Sequence, residues 1–144
     1  MTISKKHFTI TTEQEKFDLE FIHSFLTRSY WAEGIPREVI KRSIDGALCF
    51  GLFENDKQIG FARMITDKAT FAYLADVFII EAYRGRGLSK WLMEVIMSHP
   101  SLQGLRRMML ATKDAHGLYE KFGFTALQNV DRWMQKHDPD IYKR

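Results

Sequence analysis

The chain has 144 residues, with 21 Lys and Arg against 18 Asp and Glu, a formal net charge of +3, and 45% hydrophobic and 27% charged residues. That length and balance fit one domain able to bury roughly 68–70% of its unfolded surface, and they exclude a disordered or fibrous chain and most multi-domain enzymes. Acidic residues interrupt nearly every basic run, so the basic stripe of a nucleic-acid binder is missing and no nucleic-acid partner is expected.

The N-terminal stretch carries Lys5, Lys6 and His7 but no apolar core of the kind a signal peptide needs. Residues 8–11, Phe-Thr-Ile-Thr, alternate and predict a short strand. Thr12 and Glu15 have capping-box spacing, and Phe17, Phe21, Phe25 and Leu26 fall on one face, which predicts a helix over about 13–30. Residues 31–36, Trp-Ala-Glu-Gly-Ile-Pro, break it, and Pro36 suits the first turn of a second helix reaching about residue 44. Three strands follow over 48–54, 58–66 and 70–80, separated by turns at 55–57 and 67–68, an antiparallel meander.

Cys49, the single cysteine, sits in the first of these strands with no basic residue near it in sequence. It reads as a buried small hydrophobe rather than a nucleophile, and a lone cysteine suits a reducing compartment. No apolar run approaches membrane-spanning length, so a cytoplasmic protein without a membrane partner is expected.

After Tyr83 comes a Gly-rich turn, then an amphipathic helix over about 88–98 carrying Trp91, Leu92, Val95 and Ile96, ended by Pro100. An apolar strand over 106–112, a short helix over 114–122 stopped by Gly123, and two closing strands near 124–128 and 132–136 complete the order. Strand 70–80, its helix and strand 106–112 make a right-handed crossover, so that pair is expected to be parallel in an otherwise antiparallel sheet. No linker, repeat or low-complexity stretch interrupts the chain, and residues 1–144 read as one domain.

The turn between strand 70–80 and the helix after it carries the most chemistry. Gly85 and Gly87 let the backbone approach a ligand closely, and the helix that opens at Leu88 offers free N–H groups and a partial positive charge. Arg84, Arg86 and Lys90 add full charges around those donors, a set suited to a phosphodiester or pyrophosphate. The plain alternative is a strand-to-helix connection with solvated arginines.

This stretch resembles the coenzyme-A-binding turn of the GNAT acetyltransferase superfamily, whose pattern is Gln or Arg, two residues, Gly, one residue, then Gly or Ala. Arg84 and Gly87 fill the first two positions, and Ser89 stands where Gly or Ala is usual. About thirty residues further on, Gly-Leu-Tyr-Glu-Lys-Phe-Gly-Phe over 117–124 resembles the family's Leu-Tyr-Glu-Lys-x-Gly-Phe segment. The element order along the whole chain is similar as well. The resemblance implies an α/β (mixed α+β) fold. Its central sheet would be mixed, mostly antiparallel and twisted, with six to seven strands splayed between the fourth and fifth and about four helices.

It also implies an N-acetyltransferase that moves an acetyl group from acetyl-CoA, as cosubstrate and without a metal, to a primary amine by direct attack through a tetrahedral intermediate. The alternative is a non-catalytic acyl-CoA sensor or interaction module. Carried over residue by residue, Val77, Phe78 and Ile79 supply backbone to the pantetheine arm, and Gly85, Arg86, Gly87, Leu88, Ser89 and Lys90, with Arg84, hold the pyrophosphate. Tyr119 matches the general acid for the departing thiolate, and a phenol with a reference pKa of about 10 stays protonated at neutral pH. The family places an Asn seven residues before that Tyr; here the position is Thr112, with Asp114 nearby as a substitute or a helix N-cap.

For the base that takes the amine's proton, Asp76 is the first candidate and His116, an imidazole of suitable basicity, the second. A strand carboxylate paired with an Arg is the plain reading of Asp76, and a solvated surface residue that of His116. In such folds the loop between the first two helices sets acceptor choice. Here Tyr30, Trp31 and Glu33 could hold a small-molecule or peptide amine by ring contact and charge, with packing of Trp31 into the core as the alternative. Tyr73, Arg63 and Trp133 are further residues that could line the cleft. A homodimer is compatible with the late strands of the family.

Overall fold

In the computed structural model, which describes residues 1–143, the chain starts with a hairpin: β1 (Thr2–Lys5) pairs with β2 (Phe8–Thr11) around Lys6, whose φ is 58°. β1 is absent from the expected elements, because four residues with one apolar side chain, Ile3, make too short a pattern to read.

The long helix expected over 13–30 is instead one 3-10 turn, Gln14–Lys16, followed by α1 (Leu19–Leu26). Its start is displaced because Thr12 is engaged elsewhere: its N–H donates to the Met1 carbonyl, and its hydroxyl accepts from the N-terminal amine. Asp18 takes over as N-cap, accepting from the Phe21 N–H at 3.0 Å. At the far end the Ser29 hydroxyl donates to the Leu26 carbonyl and accepts from the Ala32 N–H, turning the chain out of helix four residues earlier than the apolar stripe suggests. α2 (Arg37–Asp45) begins after Pro36, as expected.

The meander is β3 (Leu48–Glu54), β4 (Lys57–Thr66) and β5 (Phe71–Ile79). α3 (Leu88–Ser98) crosses back, and β6 (Arg107–Leu110) pairs with β5 in parallel; all other neighbours in the order β1-β2-β3-β4-β5-β6 are antiparallel. α4 (His116–Glu120) follows, with Gly123 at φ 90° just beyond it. The α/β class, the mixed sheet and the four helices agree with the sequence.

Two cores explain why β3 and β4 are continuous apolar runs rather than alternating ones: both faces of the sheet are covered. On one face Leu92, Met93 and Ile96 of α3 pack on Phe50, Met64 and Leu74. On the other, Ile22, Leu26, Ile40 and Ile44 of α1 and α2 pack on Cys49, Phe61 and Phe78.

The two strands expected near 124–128 and 132–136 do not form. The Phe124 N–H bonds back to the Tyr119 carbonyl, the Gln128 side chain turns onto the Ala126 carbonyl, and Asn129 takes a left-handed φ of 54° that starts a short turn, Val130–Arg132. Local polar bonds of this kind compete with strand pairing. The segment's aromatics are anchored singly, Phe124 against the Tyr119 ring and Trp133 under the Arg107 guanidinium at 4.6 Å. No helix among the described residues is long and apolar enough to cross a membrane.

Candidate functional site

β5 stays paired with β4 as far as Gly60–Ile79, but its ladder with β6 ends at Leu74–Leu110. Where the two part, β5 carries a bulge: two residues, Asp76 and Val77, lie opposite the single residue Ala62. Asp76 has a φ of 54°, a conformation that Asp tolerates better than most residues. Its carboxylate is held from both sides, Oδ2 by the Arg63 Nε–H at 2.8 Å and Oδ1 by the Trp31 indole N–H at 2.9 Å. The bulge bends β5 away from β6, and a cavity of about 950 Å³ opens between them, within the size range of small-molecule sites.

Val77, Phe78 and Ile79 border this cavity on the stretch of β5 that no longer has a β6 partner. Arg84 and Ser89 extend it to the start of α3. Gly85 and Gly87 have φ of 79° and 76°, and a Cβ built on either would meet no atom within 4 Å. The glycines are therefore required for backbone conformation rather than for packing space. No side chain caps α3, so its first N–H groups are open to an anion. Arg84 Nε donates to the Ile79 carbonyl at 2.9 Å, which ties the turn to the strand end. Arg86 lies over the Tyr83 ring at 5.0 Å, and the Tyr83 hydroxyl donates to Glu54. Leu88 is buried as an anchor, while Lys90 is exposed beside the corner. Of the corner residues Arg84 and Ser89 border the cavity, whereas Gly85, Arg86, Gly87, Leu88 and Lys90 lie outside its lining; strand edge, open N–H groups and Arg84 are a donor set that fits pantetheine and pyrophosphate.

Tyr119, on α4, is 8% exposed and borders the same cavity. Burial, with a smaller contribution from Tyr30, pushes its phenol above the ordinary tyrosine value, so the hydroxyl keeps its proton at neutral pH. Thr112 also borders the cavity, but its hydroxyl accepts from the Ala115 N–H at 3.0 Å and so supports the turn into α4. Asp114 does not act as the N-cap, since the residue in that place is Ala115 and no side chain bonds to it as a cap.

On the acceptor side, Tyr30 and Trp31 line the cavity and are 66% and 44% exposed, so Trp31 is not the core residue that its alternative reading supposed. Lys113 reaches from the β6–α4 turn to within 5.4 Å of the Tyr30 ring centre. Glu33 is exposed and lies outside the cavity lining. Arg63 and Tyr73 face into the cavity, whereas Trp133 does not. His116 is exposed and borders a second groove, beside β6, with the other side of Tyr119.

One wall residue has no signal in the sequence. Tyr142 belongs to the last short turn, packs against the α1–α2 core and meets the acceptor loop at Gly34, where an added Cβ would lie 3.1 Å from the Tyr142 carbonyl oxygen. The C-terminal segment thus passes from Arg107 at the start of β6 to the loop between the first helices. Cys49 is buried, and burial pushes its thiol up to about 12, as suits a packing residue. No group of three or more His, Cys, Asp or Glu among the described residues could hold a metal ion.

A sequence model of the acetyltransferase (GNAT) family matches residues 12–124. A candidate acetyltransferase of Gibberella zeae is 29% identical over 137 residues, covering 79% of this chain and 76% of its own length. A candidate GNAT acetyltransferase of known structure from Xanthomonas campestris pv. campestris is 47% identical, with a TM-score of 0.93 over 96% of this chain and 98% of that one. A candidate acetyltransferase of Clostridium acetobutylicum, solved with acetyl-CoA, shares only the fold: 14% identity and a TM-score of 0.67 over 90% and 96% of the two chains. The family match spans most of the chain, residues 12–124, and the chain belongs to the GNAT acetyltransferase family.

Proposed function

We propose that this protein transfers an acetyl group from acetyl-CoA to a primary amine by direct attack. The observation that supports it most is continuity: one cavity runs from the open N-terminus of α3, past the unpaired edge of β5, to Tyr119 and on to the acceptor loop. A pyrophosphate on the N–H groups of residues 87–90 points the rest of the coenzyme along Val77–Ile79 and its thioester toward Tyr119. The Clostridium acetobutylicum neighbour solved with acetyl-CoA supports the same cosubstrate.

A neutral amine donates its lone pair to the thioester carbonyl carbon, and main-chain N–H groups of the β5 edge stabilise the oxyanion of the tetrahedral intermediate. The C–S bond then breaks, and Tyr119 gives its proton to the departing thiolate. Asp76 serves this reaction by position: with both oxygens engaged by Arg63 and Trp31, it fixes the acceptor loop to the bulge. His116 faces the other groove, and the amine's proton leaves through the open mouth of the cavity to water.

Thiol release from acetyl-CoA with a panel of primary amines tests the reading. Release with one amine class, together with coenzyme A binding, is the expected result. Coenzyme A binding with no release from any amine would leave the acyl-CoA sensor.

A further inference from the structure

We propose that the acceptor carries a carboxylate beside its amine, as an amino acid does, and that the terminal nitrogens of Arg63 bind it. The inference rests on the acetyltransferase reading above and adds the class of acceptor.

Arg63 stands on β4 with its guanidinium directed into the acceptor end of the cavity, where its side chain keeps 18% exposure. Asp76 uses one donor, Nε–H. Among the described residues no group accepts from Nη1 or Nη2, and neither atom is sealed from solvent. The pair with Asp76 thus fixes the plane of the guanidinium and leaves its outer edge presented to the cavity, a planar fork that matches a carboxylate.

The other charges at this end favour an anion on balance, Asp114 being the one acid besides Asp76 in the wall. The Asp76 side chain is 9% exposed and its charge is already paired with Arg63, so it presents little anion to a cationic acceptor. Glu33, the acid of the acceptor loop, is not in the wall. Asp114 borders the cavity on the β6–α4 turn next to Lys113, whose ammonium also reaches this end over Tyr30. A polyamine would bring further positive charge against Arg63 and Lys113, whereas an amino-carboxylate places its anion on the fork and leaves its amine for the thioester. Trp31, Tyr73 and Tyr142 give an aromatic wall for an apolar side chain on the same molecule.

Matched acceptors test this in the unaltered enzyme: phenylalanine, phenylalaninamide and phenethylamine, then leucine and isoamylamine, each assayed for thiol release from acetyl-CoA. Each is also titrated calorimetrically into protein saturated with coenzyme A. The carboxylated member of each set should lead in kcat/KM by about 10- to 100-fold, the scale of a lost charge-assisted bond. Arg63→Met should erase that preference and leave acetyl-CoA KM within about twofold. Because this change strips Asp76 of its partner, Arg63→Met/Asp76→Asn is run beside it, and Arg63→Lys should restore part of the preference.

Equal or better turnover of the amides and decarboxylated amines would overturn the inference while leaving the transferase reading intact. Amino-acid binding that depends on Arg63 without any acetyl transfer would uphold the Arg63 site and sink the transferase reading instead.

Discussion

The two ends of the cavity are built by different means. The coenzyme end comes from one contiguous stretch, residues 77–90, and works through backbone: an unpaired strand edge, two glycines with positive φ and an uncapped helix. The acceptor end is made of side chains that meet from four distant places, Trp31, Arg63, Asp76 and Tyr142. Changes at the first end should therefore alter coenzyme affinity alone, and changes at the second should alter acceptor use alone. Tyr119 stands between them.

The largest effect is expected at that junction. Tyr119→Phe should lower kcat by about 100-fold or more, the scale of a lost general acid, while the Kd for coenzyme A by calorimetry stays within about twofold. A change confined to Kd would move Tyr119 to the coenzyme end. With Tyr119 as the proposed general acid the protonated phenol is the form that works, and burial raises its pKa, so kcat should fall with rising pH only above the ordinary tyrosine value near 10. A pH-rate profile checks the position of that limb.

Next in size is Gly87→Val. A branched side chain at a φ of 76° costs about 1–2 kcal/mol and disturbs the first N–H groups of α3; coenzyme A Kd should rise about tenfold with acceptor KM at saturating acetyl-CoA unmoved. Thermal unfolding and calorimetry separate the two consequences. At the other end, Trp31→Phe keeps an aromatic ring but removes the donor to Asp76; acceptor KM should rise about three- to tenfold with coenzyme affinity unchanged. On the positioning role proposed for its carboxylate, Asp76→Asn should keep the acidic limb of the kcat profile.

The smallest effect is predicted outside the cavity. With its thiol pushed up to about 12, Cys49 should resist thiol reagents at pH 8 in the folded protein, and Cys49→Ala should change kcat/KM less than about twofold.

The same division decides how much of the molecule was legible in its sequence. The span of β3, the span of α3, the parallel crossover and the corner at Arg84–Gly87 are written in local pattern and were expected with their boundaries nearly as found. Tyr119 was accessible because it lies in a short contiguous segment. The true start of α1 was not, because Thr12 is drawn away by the N-terminal residues and the cap passes to Asp18. The strands expected near 124–128 and 132–136 had the right residue types, but Asn129 turns the chain and its aromatics are held one by one against Tyr119 and Arg107. Arg63, Asp76 and Trp31 were each visible as candidates, and an Arg partner for Asp76 was one of its two readings, but which Arg it is and the bond from Trp31 depend on a bulge that periodicity does not encode. Tyr142 owes its place to the path of the final segment, a purely tertiary matter.

A crystal structure with coenzyme A bears most directly on whether one cavity joins these ends. The expected result places the pyrophosphate on the N–H groups of residues 87–90 and the sulfur within about 3–4 Å of the Tyr119 hydroxyl. Coenzyme bound elsewhere, or a sulfur beyond reach of that hydroxyl with the phenol turned toward the groove beside β6, would contradict it.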